Sequence, residues 1–275
     1  MAITGTGTQA DPFLVHSYDE IKSKVNSRPT SKNNKYIKLV NDINFKDYGD
    51  NWLFNEIDFG GSWDIDLGDH TIKNIILGNG VMFYSNENAD CVIRNGKILN
   101  IFASNSPQSI MNGNTYSNLS LYNLSISIYG RGFSRSIFRY VNMYNSAIYY
   151  KDYKMTCAEI IYSSYVENSD FYLDINNINN RYIQTGSNCY DCRIRGKFGG
   201  TVPNGWLGEF CGVIEIETTA SSTMLSSYPS EPTIYNHELA PNIKSEYGII
   251  PCTSNQMRDV DYLNSVGFIV AKAGE

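Results

Sequence analysis

Charge is scarce in this sequence: only 18% of its 275 residues are Asp, Glu, Lys or Arg, and the net charge is −6. The basic residues form no stripe. Their nearest approach to one, at Arg131, Arg135 and Arg139, reads as a solvated loop. A nucleic-acid partner needs a basic footprint, and none is visible. No apolar run approaches the roughly 20 residues that span a bilayer, so no membrane segment is predicted. The opening Met1-Ala2-Ile3-Thr4-Gly5 lacks a basic stretch followed by an apolar one, which predicts a protein made in the cytoplasm without the usual export signal. The six cysteines (Cys91, Cys157, Cys189, Cys192, Cys211 and Cys252) then read as reduced thiols rather than a disulfide framework. His16, His70 and His237 stand alone, without metal-ligand spacing, and no Ser/His/Asp arrangement or heptad stalk is present. No cofactor is implied.

What the chain has instead is asparagine and tyrosine, 31 and 21 residues, within a sequence that is 42% hydrophobic. That mixture suits turns and half-buried strands better than helices, and it predicts an all-β fold. A short phrase recurs in which Asn or Asp opens a strand of alternating apolar residues. It reads Asp69-His70-Thr71-Ile72, then Asn95-Gly96-Lys97-Ile98, then Asn123-Leu124-Ser125-Ile126 and Asn145-Ser146-Ala147-Ile148. Weaker copies start at Asn168 and Asp191. From Asp69 the marker advances by about 26, 28, 22, 23 and 23 residues, the spacing of a β-solenoid coil.

Strands this short cannot stand alone. Their inward set (Ile72, Ile98, Ile126, Ile148, Phe171, Ile194) needs neighbours above and below. Coils stacked about 4.8 Å apart supply them and pair every backbone amide with the next coil. The predicted architecture is a right-handed, single-stranded parallel β-helix with a short capping helix at each end. Residues 1–35 form an N-terminal cap and 36–217 about seven or eight coils, a rod on the order of 35 Å. Residues 218–275 read as a Ser/Thr/Pro-rich linker (218–241) and a small module with a helix near 254–266. Ser17-Tyr18-Asp19-Glu20 and Thr253-Ser254-Asn255-Gln256 have the form of capping boxes, the second opening a helix with Met257, Val260 and Leu263 inward and a stop at Gly267. The competing architecture is an antiparallel sandwich, in which Asn95-Gly96 makes a hairpin.

The run Gly5-Thr6-Gly7-Thr8-Gln9-Ala10-Asp11-Pro12-Phe13-Leu14-Val15, with the helix after it and the strand from Tyr36 to Ile43, resembles the N-terminal cap of right-handed β-helix proteins found in bacteriophage tails and virions and on bacterial surfaces. The phrase from Ile65 to Ile75 and the ending from Tyr262 to Phe268 look like parts of the same group. The resemblance covers most of the chain at the level of architecture. Its motifs are structural, so it implies a fold and a setting but no active-site residues.

Two carboxylates on one strand face, Asp64 and Asp66 beside Trp63, are the best candidates for glycoside chemistry or for Ca²⁺ ligation, with Trp63 stacking on a sugar. The plainer reading is a solvated strand face. Glu215 and Glu217 form a second such pair. Cys189 and Cys192 have the gap of a zinc or redox pair, but no second pair follows, and in a straight strand their thiols point to opposite faces. Gly5-Thr6-Gly7-Thr8 lacks the later Gly and the Lys of a phosphate cradle. The tyrosines, among them Tyr116, fall on successive coils; Tyr144, Tyr149, Tyr150, Tyr153 and Tyr165, with Trp63, are the candidate binding surface for a sugar or a protein subunit. These features predict a non-enzymatic bacteriophage virion protein (decoration, tail or baseplate-associated), made in the host cytoplasm. Its expected partners are other virion proteins and a host-surface polysaccharide, and a homo-oligomer is compatible. A polysaccharide-degrading, tailspike-like glycosidase or lyase and a bacterial cell-surface adhesin are the alternatives.

Overall fold

The computed structural model is a parallel β-solenoid of about 8 turns. It describes residues 3–25, 35–49, 54, 57–59, 61–78, 81–85, 90–103, 109–113, 119–130, 133, 136–152, 155, 157, 159–225, 229–244 and 246–268. Each coil contributes to three faces. The first face stacks Phe13–Val15, Tyr36–Leu39 and Asp64–Asp66 beneath the opening halves of Cys91–Ala103 and Leu119–Gly130; Val141–Tyr144, Tyr165–Glu167 and the start of Asn188–Phe198 follow. The second face takes Thr71–Leu77, the closing halves of those long strands, Ala147–Asp152, Asp170–Ile175 and the end of Glu209–Glu217. A separate sheet from Ile57–Phe59 to Tyr182–Thr185 forms the third. All pairings among these strands are parallel, which removes the sandwich.

The recurring Asn/Asp marker is the corner between the first and second faces. Asp69, Asn95, Asn123, Asn145, Asn168 and Asp191 all have φ between 47° and 63°. Asn and Asp adopt this left-handed conformation with little strain because their short polar side chains bond locally. Asn95-Gly96 is therefore a corner within one continuous strand and not a hairpin. Asn123 donates its Nδ2 to Asn95 Oδ1 at 3.1 Å, and Asn168 donates to Asn145 Oδ1 at 2.7 Å. Serines reinforce the same corner: Ser146 Oγ donates to the Tyr144 carbonyl and accepts the Leu124 amide, one coil below. Ser164 and Ser187 repeat this device between the third and first faces.

The inward set stacks in register. Ile72 pairs with Ile98, Ile98 with Ile126, and the file continues through Ile148, Phe171 and Ile194, every member at most 4% exposed. At the N-terminal end, helix α1 (Tyr18–Val25) buries Tyr18, Ile21 and Val25 on the first coils. Ser17 Oγ accepts the Glu20 amide at 3.3 Å, and the Glu20 carboxylate accepts the His16 amide at 2.7 Å.

The C-terminal part differs from expectation in two ways. The ladder does not stop at Glu217: Thr233–Asn236 and Ile250–Cys252 add two further parallel strands. Ser/Thr/Pro-rich composition signalled a linker, yet Met224, Leu225, Ile234 and Tyr235 within it are buried. The capping box forms, with Thr253 N–H donating to Gln256 Oε1 at 2.8 Å and Gln256 N–H to Thr253 Oγ1 at 3.1 Å. It opens only a 3₁₀ turn (Gln256–Arg258), because Asp259 is extended and restarts the chain as α2 (Val260–Ser265), accepting two of its amides. Met257, Val260 and Leu263 are half-buried, and α2 has no fully buried residue. No helix among the described residues is long and apolar enough to cross a membrane.

Candidate binding groove

The left-handed corner makes the surface concave where the second face begins. A groove of about 800 Å³ follows this corner from Asp69 at one end to Asp191 and Arg193 at the other. Its floor mixes small and corner residues, among them Ser125, Ala147, Asn123, Asn145 and Asn168. A second depression of about 350 Å³ adjoins it over Ser125, Ser127 and Ala147, walled by Tyr149 and Tyr172.

Two aromatic files flank the groove. On the first face Tyr122, Tyr144, Tyr165 and Tyr190 form a file with centroids 4.7, 5.8 and 5.7 Å apart, the first pair stacked and the others tilted by 44°. On the second face Phe102, Tyr129, Tyr149 and Tyr172 follow one another at 5.4, 5.9 and 5.3 Å, the outer two pairs stacked and the middle one tilted by 54°. Phe102 and Tyr172 are exposed outright, at 43% and 39%. Carboxylates pin the first file: Tyr165 donates its hydroxyl to Glu167 at 2.9 Å and Tyr190 to Glu209 at 3.1 Å. The bond to Glu167 pushes the Tyr165 phenol up to about 12. Partial burial raises Tyr144 and Tyr149 as well. Tyr190 is raised too, by burial and by its bond to Glu209, so Tyr144, Tyr149, Tyr165 and Tyr190 stay neutral near neutral pH.

Of the candidate surface residues, Tyr144, Tyr149 and Tyr165 lie on these files. Tyr150 does not. It follows Tyr149 in one strand, shares the inward parity of Ile148, and is fully buried with its hydroxyl donating to Asp152 at 2.8 Å. Trp63 is also in the core, at 2% exposure, and offers no ring to a sugar. Tyr116, Tyr153, Arg131 and Arg135 lie outside the described residues. Arg139 is half-buried, its guanidinium 5.4 and 5.0 Å from the Tyr140 and Tyr162 rings. Phe102, Tyr122, Tyr129, Tyr172 and Tyr190 complete the site. Their signal was in the sequence: Tyr122, Tyr144 and Tyr190 each precede a corner marker by one, and Tyr149 and Tyr172 each follow one by four.

Asp64, Asp66 and Glu215 are each bonded to an arginine, whereas Glu217 is exposed. Arg94 bridges Asp64 at 2.8 Å and Asp66 at 3.0 Å. Asp66 also accepts the Gly68 amide at 2.9 Å and Asn95 Nδ2 at 3.2 Å. Burial works against the Arg94 charge, but its two carboxylate partners outweigh that and raise it. Both acids direct carboxylate oxygens at one guanidinium, an arrangement that suits neither a proton donor nor a water-activating pair. Glu215 is likewise bonded to Arg193 Nε at 2.8 Å, and Asp170 to Arg195. Cys189 and Cys192 both face the core, contrary to the straight-strand expectation, because the left-handed Asp191 and a register shift fall between them. All six cysteines are free and buried. Among the described residues no cluster of His, Cys, Asp or Glu is placed to hold a metal ion.

Fold and surface together define a parallel β-solenoid with an aromatic-flanked corner groove. No protein-family model, curated protein or solved structure matches the chain.

Proposed function

We propose that this solenoid is a non-enzymatic structural component of a bacteriophage virion (a decoration, tail or baseplate-associated protein) that binds another virion protein and takes an extended host-surface glycan along its corner groove. The observation that carries the binding reading is the groove itself: a floor bearing hydroxyls and carboxamides, with Tyr149 and Tyr172 walling the depression beside it and a second aromatic file on the neighbouring first face. Aromatic faces stack on sugar rings while Asn and Ser side chains exchange hydrogen bonds with hydroxyls. The virion setting is supported by the resemblance of the N-terminal cap and coil motif. The non-enzymatic part is supported by the arginine partners of Asp64, Asp66 and Glu215.

Mass spectrometry of purified particles tests the setting: the chain is expected at a fixed copy number, and its absence from particles removes the virion role. An array of bacterial surface oligosaccharides tests the groove. The wild type is expected to bind without releasing reducing ends, and Tyr149→Ala with Tyr172→Ala to abolish binding. Cleavage lost in Asp64→Asn or Asp66→Asn would replace this reading with the glycosidase one.

A further inference from the structure

Of the six buried cysteines, Cys189 and Cys192 share one corner of the solenoid, on either side of the left-handed Asp191. Both are at most 1% exposed. Their sulfurs converge. Val166 is the ladder partner of Cys189 in the coil below, and the Cys192 sulfur reaches back across the corner to within 3.8 Å of the Val166 carbonyl oxygen and 3.2 Å of the Tyr190 one. The two thiols are in side-chain hydrogen-bonding contact. Cys211, one coil further on, places its sulfur 3.6 Å from Ser230 Oγ.

Position 192 is where the two coils below carry serine. Ser146 and Ser169 each donate to the carbonyl oxygen two residues back, at 2.8 and 2.9 Å, and Cys192 makes the same contact through sulfur. A thiol is a weaker donor and acceptor than a hydroxyl, so the corner bond alone favours serine. What sulfur adds is the capacity to bond covalently to a neighbouring thiol. The ladder is also interrupted at this corner. The next coil pairs Cys189 with Phe210 and Cys192 with Gly212, so Tyr190 and Asp191 together face the single residue Cys211.

We propose that Cys189 and Cys192 are a redox-sensitive pair that closes to a disulfide when the chain folds in the presence of a small-molecule disulfide, and that the bridge braces this corner. One cysteine thiolate attacks oxidised glutathione, displacing one glutathione thiolate and leaving a mixed disulfide. The thiolate of the other cysteine then displaces the second glutathione. The protein dithiol loses two electrons and two protons, and oxidised glutathione becomes two glutathione thiols. Because both sulfurs are buried once the coils close, the bond is made during folding. The proposal is independent of the glycan reading.

Trypsin cleaves after Arg181 and Arg193, which puts both cysteines in one peptide, residues 182–193, and Cys211 in another. The test makes the full chain by cell-free translation, once with reduced glutathione alone and once with reduced and oxidised glutathione together. Each folded product is then unfolded in urea with iodoacetamide and digested. The oxidised preparation is expected to give peptide 182–193 unalkylated and lighter than its dithiol form by two hydrogens. Its Tm is expected to be on the order of 3 °C higher. Cys192→Ser, which keeps the corner bond that Ser146 and Ser169 make, is expected to fold under both conditions and to erase the difference between them. Cys211→Ser is expected to leave the bridge in place. Doubly alkylated peptide 182–193 from the oxidised preparation, a link from either cysteine to Cys211, or a bridged protein that melts below its dithiol form overturns the inference.

Discussion

At the scale of single residues, the backbone conformation of the corners decides which side chains are tolerated. Asn168 sits at φ 47°, where a Cβ-bearing residue without a local polar bond costs about 1–2 kcal/mol. Asn168→Ala should therefore destabilise the protein by that amount, in addition to the lost bond to Asn145. Asn168→Gly loses the bond but not the backbone term, and urea unfolding should place it between the wild type and the alanine variant. Tyr165 gives a prediction in pH. Its phenol is raised to about 12, chiefly because it donates to Glu167. For an acid whose folded value lies above its unfolded one near 10, the neutral form is what the fold favours. That contribution is complete below pH 10 and is lost as pH rises through 12. Ultraviolet titration of the native protein should show Tyr165 ionising late, and Glu167→Gln should bring it earlier. The corner residues were legible in the sequence because one residue type recurs at one spacing. The fates of Tyr150 and Trp63 were less so: Tyr150 followed from its parity with Ile148, but Trp63 precedes its strand and has no parity to read.

At the scale of elements, the ends of the solenoid matter most, since an open rung is an unpaired strand edge. The first strand is covered by the antiparallel bridge from Thr4, whose carbonyl accepts the Leu14 amide at 2.9 Å. The last strand, Ile250–Cys252, is blunted differently. The Cys252 carbonyl faces back to accept the His237 amide, so by alternation residue 251 presents its backbone to the free edge. That residue is proline, which has no N–H to offer. Pro251→Val restores the donor, and sedimentation velocity should then detect end-to-end association absent from the wild type; a monomer that stays monomeric would show that α2 alone closes this end. Both capping boxes could be read from sequence. The break at Asp259 could not, because a residue compatible with either state chose the extended one to cap the next turn.

At the scale of the whole molecule, thiols are spread along the solenoid from Cys91 to Cys252, and all are buried. Desolvation raises Cys91 to about 11 and lifts Cys157, Cys189 and Cys252 as well. Because the thiolate is the reactive form, none should be alkylated at pH 7 in the native state. Iodoacetamide labelling followed by peptide mapping should report all of them together as denaturant unfolds the coils, whereas early labelling of Cys252 alone would mark the last rungs as a separately unfolding unit. The groove is likewise a property of the whole stack, since no coil contains it. Its most direct test is hydrogen exchange of the protein with and without a bound surface oligosaccharide. Slowed exchange should concentrate at the corner amides of residues 123–127, 145–149, 168–172 and 191–193. Protection centred instead on Asp64–Asp66, or on the third face, would contradict the assignment of the corner groove as the binding surface.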